Sequence, residues 1–291
     1  MQRKEVTFLS GTDTCAAWLY APAGGGSDGT LPLIVMAHGL TGTRRDRLGP
    51  FAERFADAGV AALLFDHRGF GDSTGEPDHV DPALQLEDWR AAIAYARSLP
   101  GVDPGRIATF GSSLGGGNAL AAAAEDSAIA AAISQVPFLD RETQAYRSAP
   151  PVQAAIAAAA EAGGHLPAVG QPHEAAFINA PGAEAGWRRV VSIGEDSRWR
   201  DRASAGWLLS DYRPIRHAET LHCPWLVCVG EADNVALPGP AIAAGRRAPR
   251  GEVRTYPASG TSTSTTGPST RPSSPTRSTS CAGTCSVRAG R

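Results

Sequence analysis

Gly111-Ser112-Ser113-Leu114-Gly115 stands between an apolar run, Arg106 to Phe110, and a run of small residues, Gly116 to Ala124, that reads as a helix. The three pieces describe a strand, a tight turn and a helix, with Ser113 at the apex and a glycine two positions to either side. This is the pattern of a nucleophile elbow. Its spacing has a steric origin: the apex residue is forced into a strained backbone conformation, and strand and helix pass closely only where neighbouring side chains are absent. Ser113 then stands exposed, with the backbone N–H of Leu114 aimed at the same space. Ser112 competes for the role, yet only Ser113 has glycines at both flanking offsets. Glycine-rich turns after strands also serve packing or phosphate binding, so the rest of the chain must decide between these uses.

Working outward, Leu31 to Ala37 and Val60 to Phe65 are nearly uninterrupted apolar runs, as expected of strands buried on both faces of a parallel sheet. Val6 to Leu9 and Ala16 to Tyr20 read as a short antiparallel pair joined by Ser10-Gly11-Thr12-Asp13. Ile129 to Val136, Pro224 to Gly230 and Glu252 to Tyr256 complete the strands, while Leu48 to Ala58, Pro82 to Leu99 and Ala241 to Ala248 have helical spacing. Strands alternating with helices predict a right-handed, mostly parallel α/β sheet with helices on both faces. Between Phe138 and His217 the rhythm breaks. That segment is alanine-rich from Ala154 to Ala162 and carries Trp187, Trp199 and Trp207, with Val190 to Ile193 as its one candidate strand. It is expected to be a mostly helical insertion over the sheet, its tryptophans forming a small core. The expected organisation is a core in two parts, 1–138 and 217–258, interrupted by the insertion at 139–216 and followed by a tail at 259–291.

Composition narrows the functional class. The formal charge is −2, from 27 Lys and Arg against 29 Asp and Glu, which leaves no electrostatic footprint for nucleic acid or an anionic membrane. The first residues, Met1-Gln2-Arg3-Lys4-Glu5, lead straight into a strand, and no run approaches the roughly eighteen apolar residues that a membrane helix needs. A cytoplasmic protein acting on small molecules is the expectation. Cys15, Cys223, Cys228, Cys281 and Cys285 are odd in number and irregular in spacing, which argues against a disulfide framework or a zinc site.

In an open parallel sheet, ligands bind beyond the carboxyl ends of the strands. His38-Gly39-Leu40, Ser113 and Asp233 all fall there. A serine nucleophile needs a base, the base needs an orienting acid, and a tetrahedral oxyanion needs backbone donors held in place beforehand. Leu40 and Leu114 offer those N–H groups, Asp233 is the candidate acid and Asp140 the fallback. His38 is expected to brace the turn that carries Leu40, and Arg68 and Asp72 to fix a loop.

From about Val6 to Ala258 the chain resembles the α/β-hydrolases. The likeness is carried by His38-Gly39 after one strand, Asp66-x-Arg68-Gly69-x-Gly71-x-Ser73 after the next, the Ser113 elbow, and Gly230-x-x-Asp233 after a late strand, in the family's order. The insertion after Val136 lies where that family carries its cap. Within it, the chain is most similar to bacterial dipeptidyl-peptidase-like and serine aminopeptidase-like hydrolases. The resemblance implies hydrolysis of an ester, amide or thioester through an acyl-enzyme on Ser113, with a small-molecule acyl substrate and neither metal nor organic cofactor. An aminopeptidase would instead require an acidic group for the substrate amine, and Glu161, Glu174 and Glu184 are available. A non-catalytic binding protein on the same scaffold is the third possibility.

The resemblance also implies a catalytic histidine on the loop after the last strand, commonly as Gly-His. Here Ser259-Gly260 is followed by Thr261, and the seven histidines are His38, His67, His79, His165, His173, His217 and His222. The composition changes at the same place: Ser or Thr fills 15 of the 22 positions from Ser259 to Ser280, and Val287 is the only large apolar residue after Tyr256. Such a tail cannot bury a core. Back-translation offers a second explanation, because Gly260 to Thr265 written as GGC-ACT-TCG-ACG-TCT-AC and read two bases later gives His-Phe-Asp-Val-Tyr. A similar shift over Pro275 to Cys285 permits an amphipathic closing helix. The expectation is therefore a chain frame-shifted from about Gly260, lacking both its base and its last helix.

Overall fold

Leu33, Val35 and Ala37 point to one face of their strand and Ile34 and Met36 to the other, and all five are buried. That uniform burial is what a central parallel strand requires. The computed structural model describes residues 1–24, 30–144, 147–191 and 201–257. It contains an eight-stranded sheet built from β1 (Gln2–Ser10), β2 (Asp13–Ala21), β3 (Leu31–Ala37), β4 (Ala61–Phe65), β5 (Val102–Ser112), β6 (Ile129–Gln135), β9 (Trp225–Gly230) and β10 (Gly251–Tyr256), with β7 (His165–Pro167) and β8 (Arg202–Ser204) pairing separately. The strand order is β1-β2-β4-β3-β5-β6-β9-β10. β1 pairs antiparallel with β2 and β2 with β4, and the pairs beyond β4 are parallel.

Register brings the strand ends together. Ala37 lies opposite both Phe65 and Gly111, Ser112 opposite Gln135, and Gln135 opposite Cys228. The loops that begin at His38, Asp66, Ser113, Val136 and Glu231 therefore open on one edge.

The two faces are covered differently. On the first, Leu33, Val35, Leu63 and Phe65 pack with Trp89 of α2 (Pro82–Ser98), Leu120 of α3 (Leu114–Glu125) and Ala241 of α7 (Pro238–Arg247). On the second, Ile34, Met36, Leu64, Phe110 and Ile133 pack with Ala52, Phe55 and Ala56 of α1 (Gly49–Asp57). α2 starts where the sequence marks it: Pro82 takes the first turn and the Asp81 carboxylate accepts the N–H groups of Ala83 and Leu84 at 2.8 and 3.4 Å.

The segment between β6 and β9 holds α4 (Arg141–Gln144), α5 (Pro150–Glu161), β7, α6 (Ala183–Val190) and β8. The alanine-rich stretch is α5, as expected. The strand expected over Val190 to Ile193 is not formed at its start: Val190 ends α6, whose turn is held by Glu184 and Arg188 four residues apart, and 192–193 lie outside the described residues. The extended pairing in this segment is between β7 and β8, where Leu166 and Ala203 are buried. Three-residue strands carry too little periodicity to be read from sequence. Among the described residues no helix is long and apolar enough to cross a membrane. The expected frame change, closing helix and tail at 259–291 lie outside the described residues.

Candidate active site

Ser113 sits at φ 55° and ψ −122°, a conformation that L-residues rarely adopt. Its backbone is fixed on both sides: the N–H donates to Gln135 O at 2.9 Å, while the carbonyl accepts from Gly116 at 2.9 Å, Gly117 at 3.3 Å and Phe138 at 2.9 Å. The glycines do what their spacing suggests. A Cβ at position 111 would lie 1.8 Å from Gly115 O, and one at 115 would lie 2.2 Å from His38 O. A Cβ at position 39 would come within 2.9 Å of Ser113 Cβ. The His38-Gly39 turn and the elbow are therefore packed directly against each other, and the two motifs report one close approach.

That approach places Leu40 and Leu114 beside Ser113. Both side chains are buried, and among the described residues neither backbone N–H donates to a protein acceptor. For Leu114 this is the ordinary condition of the first residue of a helix, whose N–H groups have no partner within the helix. The positive end of the α3 dipole adds to the attraction for an oxyanion at that spot.

His38 is fully engaged elsewhere. Its Nδ1 lies 2.7 Å from Gly39 O and its Nε2 accepts the His67 N–H at 3.3 Å. Burial pushes its pKa down to about 3, so the ring is neutral and holds the turn. Behind it, His67 Nδ1 meets Asp88 at 3.2 Å, and Asp88 also accepts the Arg68 N–H at 3.1 Å and Nε at 2.8 Å. Burial opposes the charge on Asp88, but the hydrogen bonds from His67 and Arg68 hold its carboxyl below the usual range. Arg68 and Asp72 are loop ties: Asp72 pairs with Arg44 and, at 2.7 Å, with Arg45.

Asp233 follows β9 and is buried. Its Oδ1 accepts the N–H groups of Val235 at 2.9 Å and Ala236 at 3.1 Å, two residues that line the cavity at Ser113. Asp140 is occupied differently: it meets Arg213 at 3.1 Å and caps the Glu142 N–H at 3.0 Å. Gln144 joins the two loops. Its Oε1 accepts from Leu139 and Asp140, and its Nε2 donates to Pro137 O at 2.9 Å and Leu237 O at 3.2 Å. Sequence reasoning missed this brace, because an isolated glutamine in a four-residue helix carries no pattern.

Ser113 opens on a cavity of about 100 Å³ walled mainly by Leu40, Leu114, Phe138, Phe177, Ile178 and Trp207. Trp207 stacks on Phe177 with centroids 5.9 Å apart and meets Tyr212 edge-on at 6.0 Å. Trp207 packs in a small buried cluster with Phe70 and Tyr212, as expected of the tryptophans, and also lines the cavity; Trp187 is buried away from the cavity wall and Trp199 lies outside the described residues. None of the seven histidines lines the cavity. Glu161, Glu174 and Glu184 do not line it either; Glu184 pairs with Arg188, and Glu174 accepts the Gln171 N–H at 2.7 Å. Position 261 lies outside the described residues. β10 runs parallel to β9 with Tyr256 opposite Gly230, and Glu231 N–H donates to Tyr256 O at 3.1 Å, so the chain leaves the sheet beside the Asp233 loop.

A model of the family described as serine aminopeptidase, S33, matches residues 30–259. Quorum-quenching protein AidA of Acinetobacter baumannii strain MDR-ZJ06 is 39% identical over 265 residues, covering 87% of this chain and 86% of the relative. Thiohydrolase aneE of Aspergillus aculeatus is 38% identical over 110 residues, covering 38% of this chain and 35% of that protein. The crystal structure of the α/β-hydrolase GrgF from Penicillium sp. sh18 has a TM-score of 0.73 at 22% identity over 89% of this chain and 91% of that one, a likeness of fold.

Proposed function

The chain belongs to the serine aminopeptidase S33 family of α/β-hydrolases, and from that membership we propose that it hydrolyses a carboxylic ester, or a related thioester or amide, through an acyl-enzyme on Ser113. The observation that carries this reading is the convergence, on one apolar cavity, of a strained Ser113 and two backbone N–H groups with no protein acceptor. Ser113 Oγ attacks the acyl carbon and its proton passes to the base expected at position 261. The developing oxyanion takes hydrogen bonds from Leu40 and Leu114, and the alcohol leaves with the proton. Water then attacks the acyl-enzyme by the same route and releases the acid. Asp233 orients the base.

With Thr261 as written, no histidine among the described residues lines the cavity to serve Ser113 as a base, and turnover is expected to fall to what the oxyanion donors and binding supply. The apolar wall favours an acyl group over a substrate ammonium. The peptidase reading needs an acidic anchor, and Glu161, Glu174 and Glu184 stand outside the cavity. A relative named for quorum quenching supports a small-molecule substrate, and one named a thiohydrolase supports acyl chemistry on the same scaffold.

A fluorophosphonate tests the reading. Labelling of the chain that is abolished by Ser113→Ala supports the nucleophile. If neither the written chain nor a Thr261→His variant is labelled, the scaffold is a binding module and not a hydrolase.

A further inference from the structure

A second cavity adjoins the one at Ser113. This compartment of about 300 Å³ shares Arg141, Phe177, Asn179 and Leu208 with the first and continues under α5, past Ile156, Ala157 and Ala160. The shared residues form the partition between a narrow, apolar inner space and a wider outer one.

Charge is unevenly distributed across that partition. Arg141 lines both compartments and Arg147 lines the outer one, and neither has an ion pair among the described residues. The acid of the outer wall, Glu142, is already paired with Arg213 at 3.4 Å. Asn179, which lines both compartments, is buried, and its side-chain amide donates to Glu174 O at 3.0 Å. Arg147 is exposed, but Arg141 is partly buried beside an apolar wall, where a guanidinium gains from a carboxylate or phosphate partner. Among the described residues no carboxylate pairs with Arg141.

We propose that Arg141 is a specificity-determining residue that binds a carboxylate at the far end of the substrate's acyl chain. The substrate class is then a half-ester or half-thioester of a dicarboxylic acid: the acyl carbon sits at Ser113, the methylene chain lies along Leu114, Phe138 and Phe177, and the free carboxylate reaches the guanidinium at the partition. Guanidinium and carboxylate match as a two-point, charge-assisted pair. Arg147 adds long-range attraction at the outer mouth. This inference rests on the reading of Ser113 as the nucleophile.

Binding can be measured without turnover, using methyl ketones from 2-hexanone to 2-decanone and their ω-carboxylates from 5-oxohexanoate to 9-oxodecanoate, none of which has a scissile bond. Calorimetry on the full chain is expected to show one chain length at which the carboxylate binds at least about tenfold more tightly than the neutral ketone. Arg141→Met should remove that preference while the neutral ketones still bind to within about twofold, and Arg141→Lys should restore part of it. The proposal is overturned if no length shows the preference, if the preference survives Arg141→Met, or if the ketones do not bind. Failure of the nucleophile reading looks different: the carboxylate preference persists, but fluorophosphonate fails to label Ser113 even in the Thr261→His chain.

Discussion

Gly115 of α3 packs against the carbonyl of His38, so that a Cβ at position 115 would stand 2.2 Å from that oxygen. Alanine is ordinarily better than glycine inside a helix by about 1 kcal/mol. The overlap here is with backbone, which cannot rotate aside, and forcing a methyl into a filled site costs about 1–3 kcal/mol. Set against the helix gain, that cost leaves Gly115→Ala destabilising by up to about 2 kcal/mol in urea unfolding. It should also slow fluorophosphonate labelling of Ser113, since relief of the clash moves the His38 turn and the Leu40 N–H with it. An alanine variant as stable as the parent would mean that helix and turn are not locked together.

The two candidate acids separate by stability and chemistry. Asp140→Asn removes the buried carboxylate at Arg213 and leaves it the exposed Glu142 at 3.4 Å, and the expected loss is about 1–2 kcal/mol, reduced from the value for a fully buried pair because Arg213 is 31% exposed. Asp233→Asn keeps an oxygen for the Val235 and Ala236 N–H groups, so stability should change by less than about 1 kcal/mol. In a Thr261→His background, the same substitution should reduce ester turnover by a factor on the order of 10²–10⁴, because an amide presents the wrong hydrogen-bonding group to the imidazole. If Asp140→Asn abolishes turnover while Asp233→Asn spares it, the roles are reversed.

His38 gives a pH signature. Its folded pKa, pushed down from 6.5 to about 3 by burial, lies below the unfolded value, so the unfolded chain binds the extra proton. The stability it confers is complete above about pH 6.5 and is lost as pH falls toward 3, at up to about 1.4 kcal/mol per pH unit. Asp66 shifts in the opposite sense, its pKa raised by burial against the pull of Arg44, so the whole-protein curve mixes the two. The comparison that isolates His38 is with His38→Asn. The stability advantage of the parent should be constant from pH 7 to 8 and shrink between pH 6.5 and 4 in urea titrations. A pH-independent advantage would mean that folded and unfolded chains bind the same protons at His38, so that burial does not depress its pKa.

These residues show where the sequence is legible. Leu31–Ala37 could be read as a central strand because both faces are apolar, and the elbow because steric necessity at Gly111 and Gly115 leaves no choice of residue. Burial on both faces and backbone contact are local constraints that mark the sequence directly. Gln144, Tyr212 and Arg141 were not legible. Tyr212 Oη lies 3.0 Å from Leu114 O and 3.1 Å from Asn118 Oδ1, a tie across nearly a hundred residues that no periodicity announces. The cap was visible only as an interruption, since β7 and β8 are too short for a period-two pattern and α5 buries little beyond Val152 and Ala160. Loop residues selected for one contact have no repeat to betray them.

Removal of the Tyr212 hydroxyl tests that tie. Three acceptors surround one donor, with Phe138 O as the third at 3.4 Å, and burial raises the phenol's pKa well above its ordinary value. Tyr212→Phe is expected to cost about 1–2 kcal/mol by leaving buried oxygens without a donor. Labelling of Ser113 should slow as well, because Leu114 and Phe138 both flank the serine. Unchanged stability would mean that solvent replaces the hydroxyl.

The sharpest prediction concerns position 261. The proposed oxyanion donors Leu40 and Leu114, the elbow and the proposed acid Asp233 stand on described residues, whereas the base expected after Gly260 is written as Thr261. A positioned general base contributes about 10²–10⁴-fold. Thr261→His, or better a chain carrying His-Phe-Asp-Val-Tyr in place of residues 261–265, should therefore raise the rate of Ser113 acylation by a p-nitrophenyl ester by at least about a hundredfold. The gain should vanish with Ser113→Ala and with Asp233→Asn, and should fall below about pH 6.5 as the imidazole takes up a proton. The longer replacement guards against a histidine that is present but misplaced, because Phe and Tyr supply large apolar side chains in place of Ser and Thr at 261–265. If neither replacement accelerates acylation while fluorophosphonate still labels Ser113 slowly, the site works from its oxyanion donors alone, and the frame-shift explanation of the tail is wrong.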